Sequence, residues 1–218
     1  MLHAFRAVLA CISAVLLAVA WLPAAVQAQA DDTSYDLESG NTVSWSSPWA
    51  LVPEYSGAEE GVETVFLSTQ LGIVVVMTLP AEIDVELARD QFLEGFFGEF
   101  EASTTIDRGA YDGLSYSLDI LLIEEFEYGA FSLFRAGSGS TPTFVTFFIA
   151  PISAFASEFS SAQNSVQVDG TGIFPGVGGQ GLQDLLEANS GSATTQPSGD
   201  DATDDGTDDT GDGTEDGT

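Results

Sequence analysis

The chain has 218 residues, 44% of them apolar, and sets 34 Asp and Glu against 4 Lys and Arg, a formal net charge of −30 at pH 7. After Ala30 it contains no Lys, His or Cys, and its only cations there are Arg89, Arg108 and Arg135. That inventory excludes imidazole general bases, thiolate nucleophiles, lysine Schiff bases and His/Cys metal centres, and a field of this sign repels nucleic acid as a partner.

Residues 1–30 read as a secretory signal. His3 and Arg6 precede the uncharged, apolar run Ala7 to Leu22, and small residues follow in Val26-Gln27-Ala28-Gln29-Ala30. The run is short for a membrane span of about 20 residues, so cleavage after Ala28 or Ala30 is expected. No second long apolar segment follows, and no transmembrane span is expected once the signal is removed. Cys11 lies inside the signal, so the mature chain forms no disulfide and relies on its core alone.

From Thr42 the pattern is of strands. Thr42-Val43-Ser44-Trp45 alternates, Ser-Ser-Pro-Trp turns, and Ala50-Leu51-Val52 returns as its pair. Glu63 to Ser68 and Gly72 to Leu79 are β-branched and apolar; Ile73-Val74-Val75-Val76-Met77 is continuous enough for a central strand. After Pro80, Asp84 is a helix N-cap, and Val85, Ala88, Phe92, Phe96 and Phe100 recur at helical spacing. Four more strands follow at Thr104 to Arg108, Leu114 to Ile123, Phe126 to Phe134 and Thr143 to Ile149. Asp112-Gly113 and Gly137-Ser138-Gly139 are good turn signals between them, and Glu124-Glu125 is a poorer one.

A second long helix is predicted from about Ser153 to Val168, introduced by Pro151 and stopped by Asp169-Gly170. The glycine-rich passage Gly170 to Gly181 has no lysine and no following phosphate-binding helix pattern, so it is a loop and not a nucleotide cradle. A short amphipathic helix covers Leu182 to Ala188. From 190 to 218 nothing apolar exceeds alanine, and nine acids punctuate Gly, Thr and Ser; such a tail cannot offset the entropy of ordering and is expected to be disordered. Residues 31–189 are left as a single domain with 25 acids and three arginines, a net charge of −22. Two long helices with apolar stripes must each cover a sheet face, so the expected class is α+β: one mostly antiparallel sheet with both helices packed on it.

The phrase Asn41-Thr42-Val43-Ser44-Trp45-Ser46-Ser47-Pro48-Trp49 and the strand opening Gly113-Leu114-Ser115-Tyr116, followed by aromatic-rich strands and a helix, resemble secreted members of the PsbP-like α/β/α sandwich superfamily, LpqN-type lipoproteins among them. The resemblance covers roughly Thr42 to Val168 by element order and transfers no functional residue. It implies a sandwich fold and a binding role, since known members mostly bind.

Trp45, Trp49 and Tyr55 are candidates for an aromatic platform that stacks a ligand such as a sugar, against the commoner use of such residues as core. Glu124, Glu125, Asp112 and Asp119 are candidates for the carboxylate pair of a glycan hydrolase, a chemistry that needs no histidine. The arginines are expected to pair with carboxylates, Arg89 with Glu86 or Glu94 on its own helix. In the tail, Asp201/Asp205/Gly206, Asp208/Asp212/Gly213 and Asp212/Asp216/Gly217 match positions 1, 5 and 6 of a calcium loop, with Thr at position 3 and no Glu at 12. Weak, diffuse Ca²⁺ attraction to these aspartates is expected, and no resident cofactor. The reading that follows is a secreted or envelope protein that binds an unidentified partner, with cationic ligands or envelope components favoured by charge. The alternatives are a carboxylate-dependent glycan hydrolase and a calcium-responsive surface protein.

Overall fold

The computed structural model describes residues 33–59, 62–79, 84–97, 102–111, 113–123, 125–139 and 141–191. The signal assigned to 1–30 and the tail beyond Gly191 lie outside them, as do Pro80, Phe100, Asp112 and Glu124. Among the described residues, twelve strands and three α-helices run in the order β1 (Ser34–Asp36), β2 (Thr42–Trp45), β3 (Ala50–Leu51), β4 (Gly57–Glu59), β5 (Val62–Ser68), β6 (Ile73–Leu79), α1 (Val85–Phe97), β7 (Ala102–Tyr111), β8 (Leu114–Ile123), β9 (Phe126–Arg135), β10 (Thr143–Pro151), α2 (Phe155–Ser165), β11 (Val166–Val168), β12 (Thr171–Gly172) and α3 (Gly179–Asn189).

The main sheet is ordered β3-β5-β6-β10-β9-β8-β7, with β4 also paired to β5, and each of its pairs is antiparallel. β6 and β10 take its middle because every residue of Ile73–Leu79 and of Thr143–Ala150 is buried, and only a strand covered on both faces tolerates so continuous an apolar run. Two-residue turns set the register of the long meander: Tyr111 pairs with Leu114 and Ile123 with Phe126. The second of these turns places Glu125 at φ 71°, so the poorer turn signal still closes a tight hairpin.

The fold is α+β, with two departures from the expected single sheet. β2 does not pair with β3; it joins β1, β11 and β12 in a separate four-stranded sheet, while β3 lies at the edge of the main one. The second long helix also ends early, at Ser165. Val166-Gln167-Val168 alternates as a strand, and Asp169 and Gly170, at φ 49° and 73°, form the two-residue loop of a β11–β12 hairpin. An Asp-Gly pair stops a helix and closes a hairpin with equal ease; the β-branched residues before it decide between them.

Each face of the main sheet carries its own core. On one, Ala88, Phe92 and Leu93 of α1 meet Val75, Met77, Phe134, Val145 and Phe147. Asp84 caps that helix as expected, its Oδ1 accepting from the N–H of Glu86 and of Leu87 at 2.9 Å each. On the other face, Phe155 and Phe159 of α2 pack edge-on against Phe148 at 5.1 and 5.3 Å between ring centroids, and Phe159 stacks on Phe174 at 4.7 Å. α3 closes that side: Leu186 is fully buried, and the Gln183 side chain accepts from the N–H of Ala156, one of the donors a helix N-terminus leaves unpaired.

Candidate functional site

Trp45 and Trp49 are 5% and 2% exposed, inside the core between the small sheet and α2. The Trp49 indole N–H donates to Ser161 Oγ of α2 at 3.1 Å, so it anchors the β2–β3 connection and offers solvent no ring face. Tyr55 is half-buried on the other side of the main sheet, 5.8 Å from the Phe66 ring. The three aromatics therefore do not meet as a platform, because the two indoles and the phenol serve different cores. The tail aspartates Asp201, Asp205, Asp208, Asp212 and Asp216 lie outside the described residues. Among the described residues no group of three or more Asp, Glu, His or Cys is gathered closely enough to hold a metal ion.

Of the candidate carboxylates, Asp119 stands in mid-strand on β8. Glu125 is exposed in the β8–β9 turn, beyond the four strand residues that separate Asp119 from the strand end at Ile123, roughly 13 Å or more away and beyond the separation that glycoside hydrolysis uses. Asp119 belongs instead to a polar stripe. Ser115, Ser117 and Asp119 alternate along β8 on the face that α1 covers, and Ser132 of β9 lies directly opposite Ser117. Ser117 Oγ donates to Asp119 Oδ2 at 2.8 Å, while Asp119 Oδ1 and Ser132 Oγ are buried with no hydrogen-bond partner. Burial pushes the Asp119 carboxyl up from its ordinary 3.8 to about 6; Thr105 opposite it, the Ser117 donor and the charge of Arg108 ease the shift without cancelling it. Glu63, also buried, contrasts with it: its carboxylate accepts from the N–H groups of Glu38 and Ser39 and from Thr78 Oγ1, tying the β1–β2 turn to the main sheet.

At the mouth of the stripe Arg89 of α1 is buried. Its Nε and Nη2 both reach Asp90 Oδ1 at 2.9 Å, and Nη1 donates to Ser115 Oγ at 2.8 Å. Arg108 of β7 shares the same Asp90 oxygen at 3.5 Å. Two of the three arginines are thus paired as expected, although Arg89 uses Asp90 in place of Glu86 or Glu94. Among the described residues Arg135 has no acidic partner. It ends β9, lies cross-strand between Leu114 and Phe144, and holds its guanidinium carbon 4.9 Å from the Phe144 ring centroid. Among the described residues no carboxylate comes within 4 Å of it.

Arg135 also lines a shallow cleft between the main sheet and the β11–β12 hairpin, with room for about 20 Å³. Leu133, Phe144 and Thr146 form its sheet side, and Val168 and Ile173 the opposite wall. The enclosed part admits little more than a water-sized group, and the rest is open to solvent. Sequence reasoning missed this place because its wall depends on β11 and β12, which were read as helix and loop; the legible signal was a lone cation closing an apolar strand, Phe134-Arg135.

No protein-family model and no curated protein matches the chain. Among solved structures it is similar to the apo immunity protein TplEi of T6SS from Pseudomonas aeruginosa, at 14% identity over 59% of this chain and 55% of that one, with a TM-score of 0.36. It is also similar to LpqN, involved in cell envelope biogenesis of Mycobacterium tuberculosis, at 13% identity over 64% of this chain and 87% of that one, with a TM-score of 0.32. The chain thus spans little more than half of the immunity protein's length. Both likenesses are weak structural relations, and neither carries an argument about what this chain binds.

Proposed function

We propose that the chain is a secreted or envelope-associated protein that binds a partner and catalyses no reaction, with 31–189 as its binding domain and a PsbP-like sandwich as its architecture. The observation that supports this most is the sealing of both faces of the main sheet, by α1 on one side and by α2 and α3 on the other. A sheet covered on both faces leaves edges, turns and shallow depressions for contact, which suits recognition of a surface more than enclosure of a substrate. The residue inventory after Ala30 points the same way. Among the described residues no helix is long and apolar enough to cross a membrane, which is compatible with release after signal cleavage.

The test is direct. Expressed with its first thirty residues in a bacterial host, the protein is expected outside the cytoplasm with a new N-terminus at or just after Gln29, read by mass spectrometry. The mature chain is expected to hydrolyse no member of a glycan panel; turnover abolished by Asp119→Ala would replace this reading with the hydrolase. Calcium attraction by the tail is part of the same proposal. Calorimetry with CaCl₂ on the mature chain, with and without Asn at Asp201, Asp205, Asp208, Asp212 and Asp216, is expected to show weak heat that the substitutions remove.

A further inference from the structure

Arg108 lies between two acids, one exposed and one buried. Toward solvent, its Nη1 reaches Asp90 Oδ1 of α1 at 3.5 Å. Toward the core, its Nη2 donates to Thr105 Oγ1 at 3.4 Å, and the Thr105 hydroxyl bonds the buried Asp119 carboxyl. A bulge makes this arrangement. In register Thr105 faces Asp119 and Arg108 faces Ser117, with a shift of register between Thr105 and Asp107. In a regular strand Thr105 and Arg108 would point to opposite faces; the extra residue Ile106 returns Arg108 to the face of the polar stripe. Arg108 and Asp119 are therefore diagonal cross-strand neighbours, within reach of a side chain as long as arginine.

From this placement we propose that Arg108 is the moving part of a pH-sensitive switch, changing partner with the protonation of Asp119. With Asp119 neutral, Arg108 bonds Asp90 and ties β7 to α1. With Asp119 ionised, the guanidinium swings past Thr105 to the Asp119 carboxylate and leaves Asp90. The available partners favour this exchange. Asp90 loses little, because Nε and Nη2 of Arg89 already hold the same oxygen at 2.9 Å. The Arg108–Asp90 contact is a long, exposed ion pair of the kind that contributes least to stability. Asp119 gains much, because an ionised carboxylate with one oxygen that no donor reaches is costly in the core. The other groups around Asp119 cannot supply that charge. Ser117 already donates to Oδ2; on β9, Ala130 stands opposite, and Ser132 and the phenol of Tyr128 are diagonal neighbours that offer no cation. On α1, Arg89 is engaged by Asp90 and Ser115, and Glu86 and Glu94 are exposed acids. Asp107 of β7 lies on the opposite face, across from Leu118. Burial keeps Asp119 protonated up to about pH 6, so the exchange takes place across that value.

The test is an NMR titration of the mature chain between about pH 4.5 and 8, spanning the Asp119 transition. It follows the carboxyl carbons of Asp90 and Asp119, the Arg108 Nε–Hε pair and amide exchange in α1. The Asp119 carbon is expected to titrate near pH 6, and the Arg108 and Asp90 resonances to move with the same midpoint. Exchange at Ala88 and Leu93, corrected for its intrinsic pH dependence, is expected to speed by about two- to fivefold across that midpoint, as loss of one exposed tie allows. In Asp119→Asn the Arg108 and Asp90 resonances are expected to show no transition near pH 6. Arg108→Gln, placed on the edge strand and outside the core, serves as the second variant. It is expected to raise the Asp119 midpoint by about half a pH unit or more, because the nearby positive charge is gone, and to remove the pH response of α1. An Arg108 resonance that stays still while Asp119 titrates overturns the switch, as does an Asp119 midpoint unchanged by Arg108→Gln. Exchange in α1 that ignores the transition overturns it too. So does protection lost in β6 and β10 as fast as in α1, since ionisation would then open the whole fold. None of these readings depends on whether the chain binds a partner, so the switch and the binding role stand or fall separately.

Discussion

Asp119 is the most consequential single residue, because it is an acid kept in the core with half of its carboxylate unpartnered. Its folded pKa, about 6, lies above the ordinary 3.8, so the fold holds this proton more tightly than the unfolded chain does. The stability this supplies is complete below pH 3.8, declines as pH rises towards 6, and is absent above it. The gap between those values corresponds to about 3 kcal/mol as an upper order of magnitude. Asp119→Asn removes the charge while keeping an acceptor for Ser117, and adds a donor towards its diagonal neighbour Ser132. It is expected to stabilise the protein by about 1–3 kcal/mol at pH 7.5, with the gain fading by pH 4. Urea midpoints at the two pH values check this; an unchanged midpoint at pH 7.5 refutes it. Arg89 tests the other end of the stripe. Arg89→Ala is expected to cost about 1–3 kcal/mol, and Arg89→Lys to recover less than half of that, because three of its nitrogens are in use at once. Full recovery by lysine in thermal denaturation would show that only charge matters there.

Among the elements, the helix pair α2 and α3 depends on a close approach at Gly129 of β9. A Cβ there would stand 2.4 Å from Leu186 Cδ1 and 2.6 Å from the Phe155 ring. Leu186 can turn aside, but Phe155 is locked between Phe148 and Phe159. Gly129→Ala is therefore expected to cost about 1–3 kcal/mol and to speed hydrogen exchange in α3 first. A melting temperature equal to that of the parent protein would mean that the helices shift without penalty. Much at this level was legible in advance. The Asp84 cap, the central Ile73–Leu79 strand and the Leu114–Ile123 strand follow from local chemistry and period. The end of α2 was not, since Val166 also falls at helical spacing from Phe159 and Ala162; the β-branched alternation of Val166-Gln167-Val168 favours the strand once β2 is there to pair with it.

Across the molecule, charge sets the behaviour. A net of −22 on the body, with three cations to offset it, strains the compact state through mutual repulsion that salt screens. The melting temperature is expected to rise by several degrees between dilute buffer and molar NaCl, by an amount that exceeds the gain for a protein of balanced charge. A flat dependence in a calorimetric salt series would mean that the carboxylates are already far enough apart to be indifferent to one another.

Composition and local pattern alone determined the chemistries closed to the residues after Ala30, the α+β class, most element positions and the acidity of the surface, because these depend on residue identity and on periods of 2 and 3.6. They could not determine which strands share a sheet, which carboxylate each arginine meets, or which aromatics are core. Those depend on contacts between distant segments. β2 meets β11, Trp49 meets Ser161, and Arg135 meets Phe144 and the hairpin wall, and each meeting is settled by how two packed faces close over residues far apart in the chain.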